Sequence, residues 1–116
     1  MRTPIILVEG GDIMIFRSLE EAESHVEPID VAANEYQMFD ATGLRLEMLI
    51  VKPTGFLRPE RVHIRESVSR DVPTLSAAIR RFLTSVSGKP RDEQESLETL
   101  VTALVELDGG LSQDGS

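Results

Sequence analysis

The stretch Ile5–Phe16, which reads IILVEGGDIMIF, contains two short apolar runs joined by a Gly-Gly turn. The first run is Ile5–Val8 and the second is Ile13–Phe16. Two apolar, β-branched runs on either side of such a turn are typical of a β-hairpin. Both runs are apolar at consecutive positions rather than at every second position, so we expect both faces of this hairpin to be partly covered.

A short helix and three further strands are predicted after the hairpin. The capping box Ser-Leu-Glu-Glu at residues 18–21 predicts the start of the helix, and Pro28 predicts its end. The segment 53–59, which contains two prolines and a glycine, separates the last two strands. Alternating or β-rich patterns place the three strands at residues 35–39, 44–52 and 61–66.

Two amphipathic helices are predicted in the C-terminal part of the chain. The first begins near Thr74 and ends at Gly88, and the second begins near Asp92 and ends at Gly109-Gly110, so that residues 111–116 form a frayed tail. Their apolar residues follow helical spacing and are expected to lie buried between the helices and the sheet. These residues are Leu75, Ile79, Phe82, Leu83, Leu97, Leu100, Val101 and Leu104.

The element order ββαβββαα predicts a single α+β domain over residues 1–110. Strands joined by turns this short leave no room for parallel crossovers, so the sheet of about five strands is expected to be largely antiparallel. The two C-terminal helices are expected to pack on one face of it.

The charge distribution limits the classes of partner. The chain of 116 residues has a net charge of −8, with 10 acids and 4 bases in residues 1–55, 3 and 8 in 56–91, and 7 and 0 in 92–116. An acidic chain repels nucleic acid, and no segment is apolar enough for a membrane helix, so neither partner is expected. The chain has no Cys, and its first apolar run is too short for a signal peptide, which favours the cytoplasm.

The sequence offers little material for catalysis. It has two histidines, His25 and His63, and the absence of Cys removes a thiolate nucleophile and a thiolate metal site. His63 lies between Arg61 and Arg65 on the outward face of its predicted strand, where the three form a polar row. No catalytic residue, cofactor or metal ligand is predicted, and we do not expect an enzyme.

Acidic residues crowd the N-terminal half, which favours one of two interpretations: a solvated face that keeps the chain soluble, or a docking surface for a basic protein. Electrostatic complementarity of this kind accelerates association and selects partners. Leu49 and Val51 share a strand face with the last of these acids and are candidates for the apolar centre of the interface, or for a second covered face of the sheet. The predicted partner-binding residues are Glu20, Glu23, Glu27, Asp30 and Glu47.

Four segments resemble those of short acidic bacterial proteins of the immunity type. The segments are Phe16–Ala22, Glu27–Val31, Glu35-Tyr36 and Phe39–Leu46. Proteins of this type are linked to polymorphic or contact-dependent toxins, which they bind and neutralise. The resemblance implies a non-catalytic inhibitor of a basic, nuclease-like toxin and carries no active-site residue with it. The alternative is a structural or assembly protein whose helices or strand edges form a homo-oligomer, without a toxin partner.

Overall fold

A computed structural model describes residues 1–33, 35–52 and 60–113, and for residues 109–113 it describes only the backbone. Within this part the chain forms one antiparallel five-stranded sheet, in the strand order β2-β1-β3-β4-β5, and four helices. The α+β class and the antiparallel sheet are therefore as predicted. The strands are β1 (Ile5–Glu9), β2 (Asp12–Phe16), β3 (Gln37–Phe39), β4 (Leu44–Val51) and β5 (Arg61–Arg70); the helices are α1 (Leu19–His25), α2 (Pro28–Ala32), α3 (Val72–Ser87) and α4 (Leu97–Gln113).

Strand β1 is buried on both of its faces, which confirms the expectation drawn from its consecutive apolar residues. Ile5 and Leu7 point to one face and Ile6 and Val8 to the other, and all four are between 0% and 8% exposed. The first face packs against α1 and α2, and the second packs against α3 and α4. The sheet is therefore the middle layer of three.

Each face of the sheet has its own apolar core. We call the core under α1 and α2 the first-face core and the core under α3 and α4 the second-face core. The buried residues of the first-face core are Ile5, Leu7, Phe16, Ala22, Val26, Met38, Leu46, Val62 and Ile64. Those of the second-face core are Ile6, Val8, Ile13, Phe39, Leu75, Ile79, Leu83, Leu100, Val101 and Leu104.

Six of the eight helix residues predicted to be buried lie in the second-face core. The other two, Phe82 and Leu97, are partly buried and pack against its margin. Both sit at the rim because the two helices cover only part of the sheet, and Phe82 lies beside the outer strand β2.

The helix boundaries differ from the prediction in three places. Pro28 does not only end α1; it also stands in the first turn of the additional short helix α2, where its fixed φ suits a helix start. Helix α4 begins at Leu97 rather than near Asp92, because the Ser96 hydroxyl accepts a hydrogen bond from the Thr99 N–H at 3.2 Å and caps the helix there.

The C-terminal end of α4 also corrects the prediction. The helix passes through Gly109-Gly110 and continues to Gln113, so residues 111–113 are helical rather than frayed. A glycine costs a helix about 1 kcal/mol, which weakens the helix without having to end it. Residues 114–116 of the predicted tail lie outside the described residues.

Two strands differ in length from the prediction. β3 is shorter and begins at Gln37, while β5 is longer and reaches Arg70. Opposite Arg45, the register between β4 and β5 shifts, so that Leu46 pairs with Glu66 and Leu44 with Arg70. Three residues of β5, Ser67 to Ser69, therefore stand opposite the single residue Arg45, and the two extra residues form a bulge. The predicted breaks at Pro53–Gly55 and Pro59 lie outside the described residues.

The turn between β3 and β4 is organised by a buried carboxylate. Asp40 is 1% exposed and accepts hydrogen bonds from the Thr42 hydroxyl at 2.7 Å and from the backbone N–H groups of Thr42, Leu44 and Arg2 at 2.8, 3.0 and 3.0 Å. Burial by itself raises the pKa of Asp40, but these hydrogen bonds outweigh it, so the pKa lies below its ordinary value. The carboxylate thereby joins the start of β1 to this turn.

Truncating Leu100, which is 0% exposed, should leave a cavity in the second-face core. We expect Leu100→Ala to lower the free energy of unfolding by roughly 2–5 kcal/mol, measured by chemical denaturation. Val105→Ala on the same helix is the control, because Val105 is 41% exposed and its loss should cost far less. Equal losses for the two variants would contradict the assignment of this core.

Asp40 should make the free energy of unfolding depend on pH in the acidic range. Because its pKa is lower in the folded chain than in the unfolded chain, its contribution is complete above the unfolded pKa and is lost as the pH falls through the folded pKa. Asp40→Asn places an NH₂ donor against N–H donors and should cost about 1–3 kcal/mol at neutral pH. The difference from wild type should shrink in acid, whereas Asp12→Asn, at an exposed site, should show no such pattern.

Candidate protein-binding surface

Helix α1 carries two of the predicted partner-binding residues, and its cap determines where they point. The Ser18 hydroxyl accepts a hydrogen bond from the Glu21 N–H at 3.1 Å, and the Glu21 carboxylate accepts one from the Arg17 N–H at 3.4 Å. With Ala22 turned into the first-face core, Glu20 is exposed to solvent while Glu23 lies toward strand β5.

Glu23 has a structural partner at the edge of the sheet. Its Oε2 accepts a hydrogen bond from the Ile64 N–H at 2.6 Å and lies 3.1 Å from Nδ1 of His63. β5 is an outer strand, so the Ile64 N–H points away from β4 and has no strand partner there. The Glu23 side chain is only 25% exposed. Its carboxylate binds the Ile64 N–H, which could otherwise donate a hydrogen bond to a strand of another chain.

Glu47 lies on the other face of the sheet. It pairs across the strands with Arg65, whose Nε lies 2.8 Å from its Oε2. Met48 on the neighbouring position packs in the first-face core, and successive strand residues point to opposite faces. The structure therefore separates Glu47 from Glu20 and Glu27 by the thickness of the sheet.

The polar row predicted on β5 is present in the pairing of β4 with β5. Arg65 stands opposite Glu47, His63 opposite Leu49, and Arg61 opposite Val51. Leu49 is partly buried and Val51 is 38% exposed, so His63 and Arg61 border apolar residues, and only Arg65 borders an acid. Leu49 accordingly does not lie among the acids on α1 and α2, whereas Val51, at the end of β4, lines a cleft together with Glu20 and Glu23.

Asp30 lies at the centre of a group of crowded carboxylates. Its Oδ2 accepts a hydrogen bond from the Tyr36 hydroxyl at 3.0 Å. Repulsion from Asp30 raises the pKa of Glu35 above its ordinary value, and desolvation, a hydrogen bond with Asp30 and repulsion from Glu9 act in the same direction. Burial, followed by the hydrogen bond with Asp30, raises the pKa of the Tyr36 phenol. Like charges are therefore held together here.

The predicted set of partner-binding residues left out Glu9 and Glu35, which belong to this group. Glu9 ends β1 and Glu35 precedes β3, and the two antiparallel strands are in register with Val8 opposite Gln37. This register brings the end of one strand beside the start of the other. The signal in the sequence is an acid at the end of one strand, Glu9, and another just before the strand that pairs with it, Glu35. We call Glu9, Glu20, Glu27, Asp30 and Glu35 the acidic surface; all belong to the α1–α2 layer or to the strand ends beside it.

A cleft of about 520 Å³ lies between α1 and the start of β5. Glu20 and Glu23 line one side of it, and Arg61 and His63 line the other. The cleft thus contains both acidic and basic side chains that can form hydrogen bonds. Val26 and Pro28 form its apolar wall. This arrangement suits polar contacts with a protein surface.

The histidines occupy separate environments. The His25 ring packs on Phe16 with 5.2 Å between the ring centroids, and His63 lies against Glu23. Among the residues that the structure describes, no group of three or more His, Asp or Glu side chains is arranged to hold a metal ion. In the same part of the chain, none of the helices combines the length and apolarity needed to cross a membrane.

Comparisons with known proteins add no relatives. The chain matches no family model, no curated protein and no solved structure.

The role of Glu23 as a cap on the β5 edge can be tested at a single amide. In Glu23→Ala the carboxylate is removed, so the Ile64 N–H is exposed to water. The lost hydrogen bond, which has a charged acceptor, contributes about 1.5–3 kcal/mol. We expect amide hydrogen exchange of Ile64, followed by NMR, to accelerate by roughly tenfold or more. Glu20→Ala, one turn earlier and exposed, is the control. Unchanged exchange at Ile64 in Glu23→Ala would show that this hydrogen bond is absent in solution.

Proposed function

We propose that this chain is a non-catalytic protein-binding domain of the immunity type, which binds and neutralises a basic, nuclease-like toxin through its acidic surface. The observation that carries the proposal is the crowding of Glu9, Asp30 and Glu35, which raises the pKa of Glu35. Like charges this close lower the stability of the free protein, and an oppositely charged partner would convert that repulsion into attraction.

The pairing of charges elsewhere in the chain supports the same proposal. Arg45, Arg65 and Arg91 each pair with an acid, at 2.9, 2.8 and 2.7 Å. In these ion pairs the positive charge of each arginine is balanced by an acid of the same chain. By contrast, no residue of the acidic surface forms an ion pair with a described residue. The acidic surface is therefore left with a negative potential that reaches solvent.

Glu23 and Glu47, which also belong to the predicted set of partner-binding residues, have structural roles instead. Glu23 is engaged with β5 and Glu47 with Arg65, so they are not the principal contacts of a basic partner. Glu20, Glu27 and Asp30 remain as predicted contacts, and Glu9 and Glu35 join them. The proposal places the complex in the cytoplasm, where a toxin of this class would be neutralised and where a chain without Cys needs no oxidising environment.

Reversal of exposed charges tests the proposal. Glu20→Lys, Glu27→Lys and Glu35→Lys together should slow association with the partner by about tenfold or more, because the attraction that steers the encounter is lost. The partner is first captured from the source cell with the wild-type chain, and association is then measured by surface plasmon resonance at several salt concentrations. Wild-type binding should weaken as salt rises.

A variant with the same change in net charge serves as the matched control. Glu93→Lys, Glu98→Lys and Glu106→Lys lie at exposed positions in and before α4, and should leave association close to wild type. Co-expression completes the test, since the wild-type chain and the control should protect cells from the captured protein and the first variant should not. Equal binding by both variants, or a captured protein that is not toxic when expressed alone, would refute the proposal.

A further inference from the structure

The two outer strands of the sheet differ in how their edges are protected. On β5, the Glu23 carboxylate occupies the Ile64 N–H, and the bulge of Ser67–Ser69 interrupts the regular edge. Both features are common means of preventing a second chain from pairing with an edge strand. On β2, no described side chain accepts a hydrogen bond from a backbone N–H of the strand, and the strand pairs with β1 alone without a register shift.

The middle of the β2 edge is also apolar, between the exposed Asp12 at its start and Phe16 at its end. Met14, in the middle of the strand, is 43% exposed. Ile13 and Ile15, its neighbours, point to the opposite face, where β2 borders a small groove of about 140 Å³. The groove is lined by Phe82 and by Leu104, Leu107 and Asp108 of α4.

A second groove borders β2 on the other face of the sheet. Its volume is about 330 Å³, and it is lined by Leu7, Met14, His25 and Tyr36, with Ile13 and the carboxylates Glu9 and Asp12 at its margin. Grooves on both faces of an outer strand are what an added strand requires, because its side chains point alternately to the two faces. The β2 edge therefore has a shape that fits a sixth strand.

We propose that the β2 edge binds the β2 edge of a second copy of this chain, forming a continuous ten-stranded antiparallel sheet. The sequence of β2 is self-complementary when read in the opposite direction. With a two-fold axis at Met14, Met14 stands opposite Met14 of the second copy, and Ile13 stands opposite its Ile15. Apolar residues then meet apolar residues on both faces, as cross-strand pairs do in stable sheets.

Charge distinguishes the two outer strands as partners for a second copy. In this register Asp12 of one chain stands opposite Phe16 of the other, so no like charges meet directly across the pair of β2 strands. On β5, by contrast, self-pairing about residues 62–66 would place Arg61, His63 and Arg65 next to their own copies. Like charges directly across a strand pair are destabilising, so β2 is the edge that fits self-association.

The second copy would also cover apolar residues beside β2 that the fold of one chain leaves partly buried. A pair of five-residue strands is smaller than a standard interface of about 1,600 Å², so neighbouring side chains must contribute to a stable dimer. Phe82 and Leu107 are partly buried and border the groove on the second face, where they would contact Ile13 and Ile15 of the second copy.

A lysine at the two-fold axis tests the dimer. Sedimentation equilibrium of the full chain at micromolar concentrations should give a dimer for wild type, and Met14→Lys should weaken it by about a hundredfold or more, because two ammonium groups would meet at the axis. Val68→Lys is the control, since Val68 is fully exposed on the bulge of β5 and should leave the dimer intact. Circular dichroism checks that both variants are folded.

Cross-linking places the contact at a single residue. The chain has no Cys, so Met14→Cys and Val68→Cys each introduce one thiol. Under mild oxidation Met14→Cys should form a disulfide-linked dimer quickly, because residues opposite each other across antiparallel strands have Cβ atoms close to disulfide distance. Rising salt should strengthen the dimer, since each copy carries a charge of −8. The proposal is overturned by a monomeric wild type, by a dimer that Met14→Lys leaves intact, or by equal cross-linking of the two Cys variants.

Discussion

Burial of β1 on both faces is the constraint on which the rest of this structure depends. Four consecutive apolar side chains each gain about 1.5–3 kcal/mol from burial only if both sides of the strand are covered. One helical layer is therefore not enough, and the chain supplies α1 and α2 for one face and α3 and α4 for the other. The three-layer arrangement then decides which polar residues remain at the surface.

The same layering explains the uneven charge along the chain. The basic segment 56–91 runs through β5 and α3, and its arginines reach acids that are distant in sequence or in a neighbouring element. Arg65 pairs with Glu47, while Asp71 caps α3 and pairs with Arg45, contacts that lower the pKa of Asp71. These ion pairs serve the fold locally, whereas acids of the α1–α2 layer and of α4, such as Glu20, Glu27, Glu98 and Glu106, remain exposed. An uneven linear pattern of charge becomes a division between internal pairs and two negative outer layers.

The sequence predicts the elements better than it predicts their partners. The Gly-Gly hairpin and the stripes of α3 and α4 are visible because turn chemistry and periodicity are local properties. Helix α2 is not, since one proline both follows α1 and begins the next helix. The extension of β5 is hidden in the polar segment Ser67–Arg70, which has no alternation to identify it. Glu23 was predicted to be a surface contact for a partner. Its role as a hydrogen-bond acceptor could not be predicted, because the donor is a backbone N–H 41 residues away in the sequence.

The position of α3 and α4 at the end of the fold has a consequence for synthesis on the ribosome. The strands that carry Ile6, Val8, Ile13 and Phe39 are made before the helices that cover these side chains. During translation the N-terminal strands can pair and α1 can dock, while the second face stays open to water until α4 has left the exit tunnel. The nascent chain therefore exposes an apolar sheet face during this interval, and a chaperone would find a substrate there.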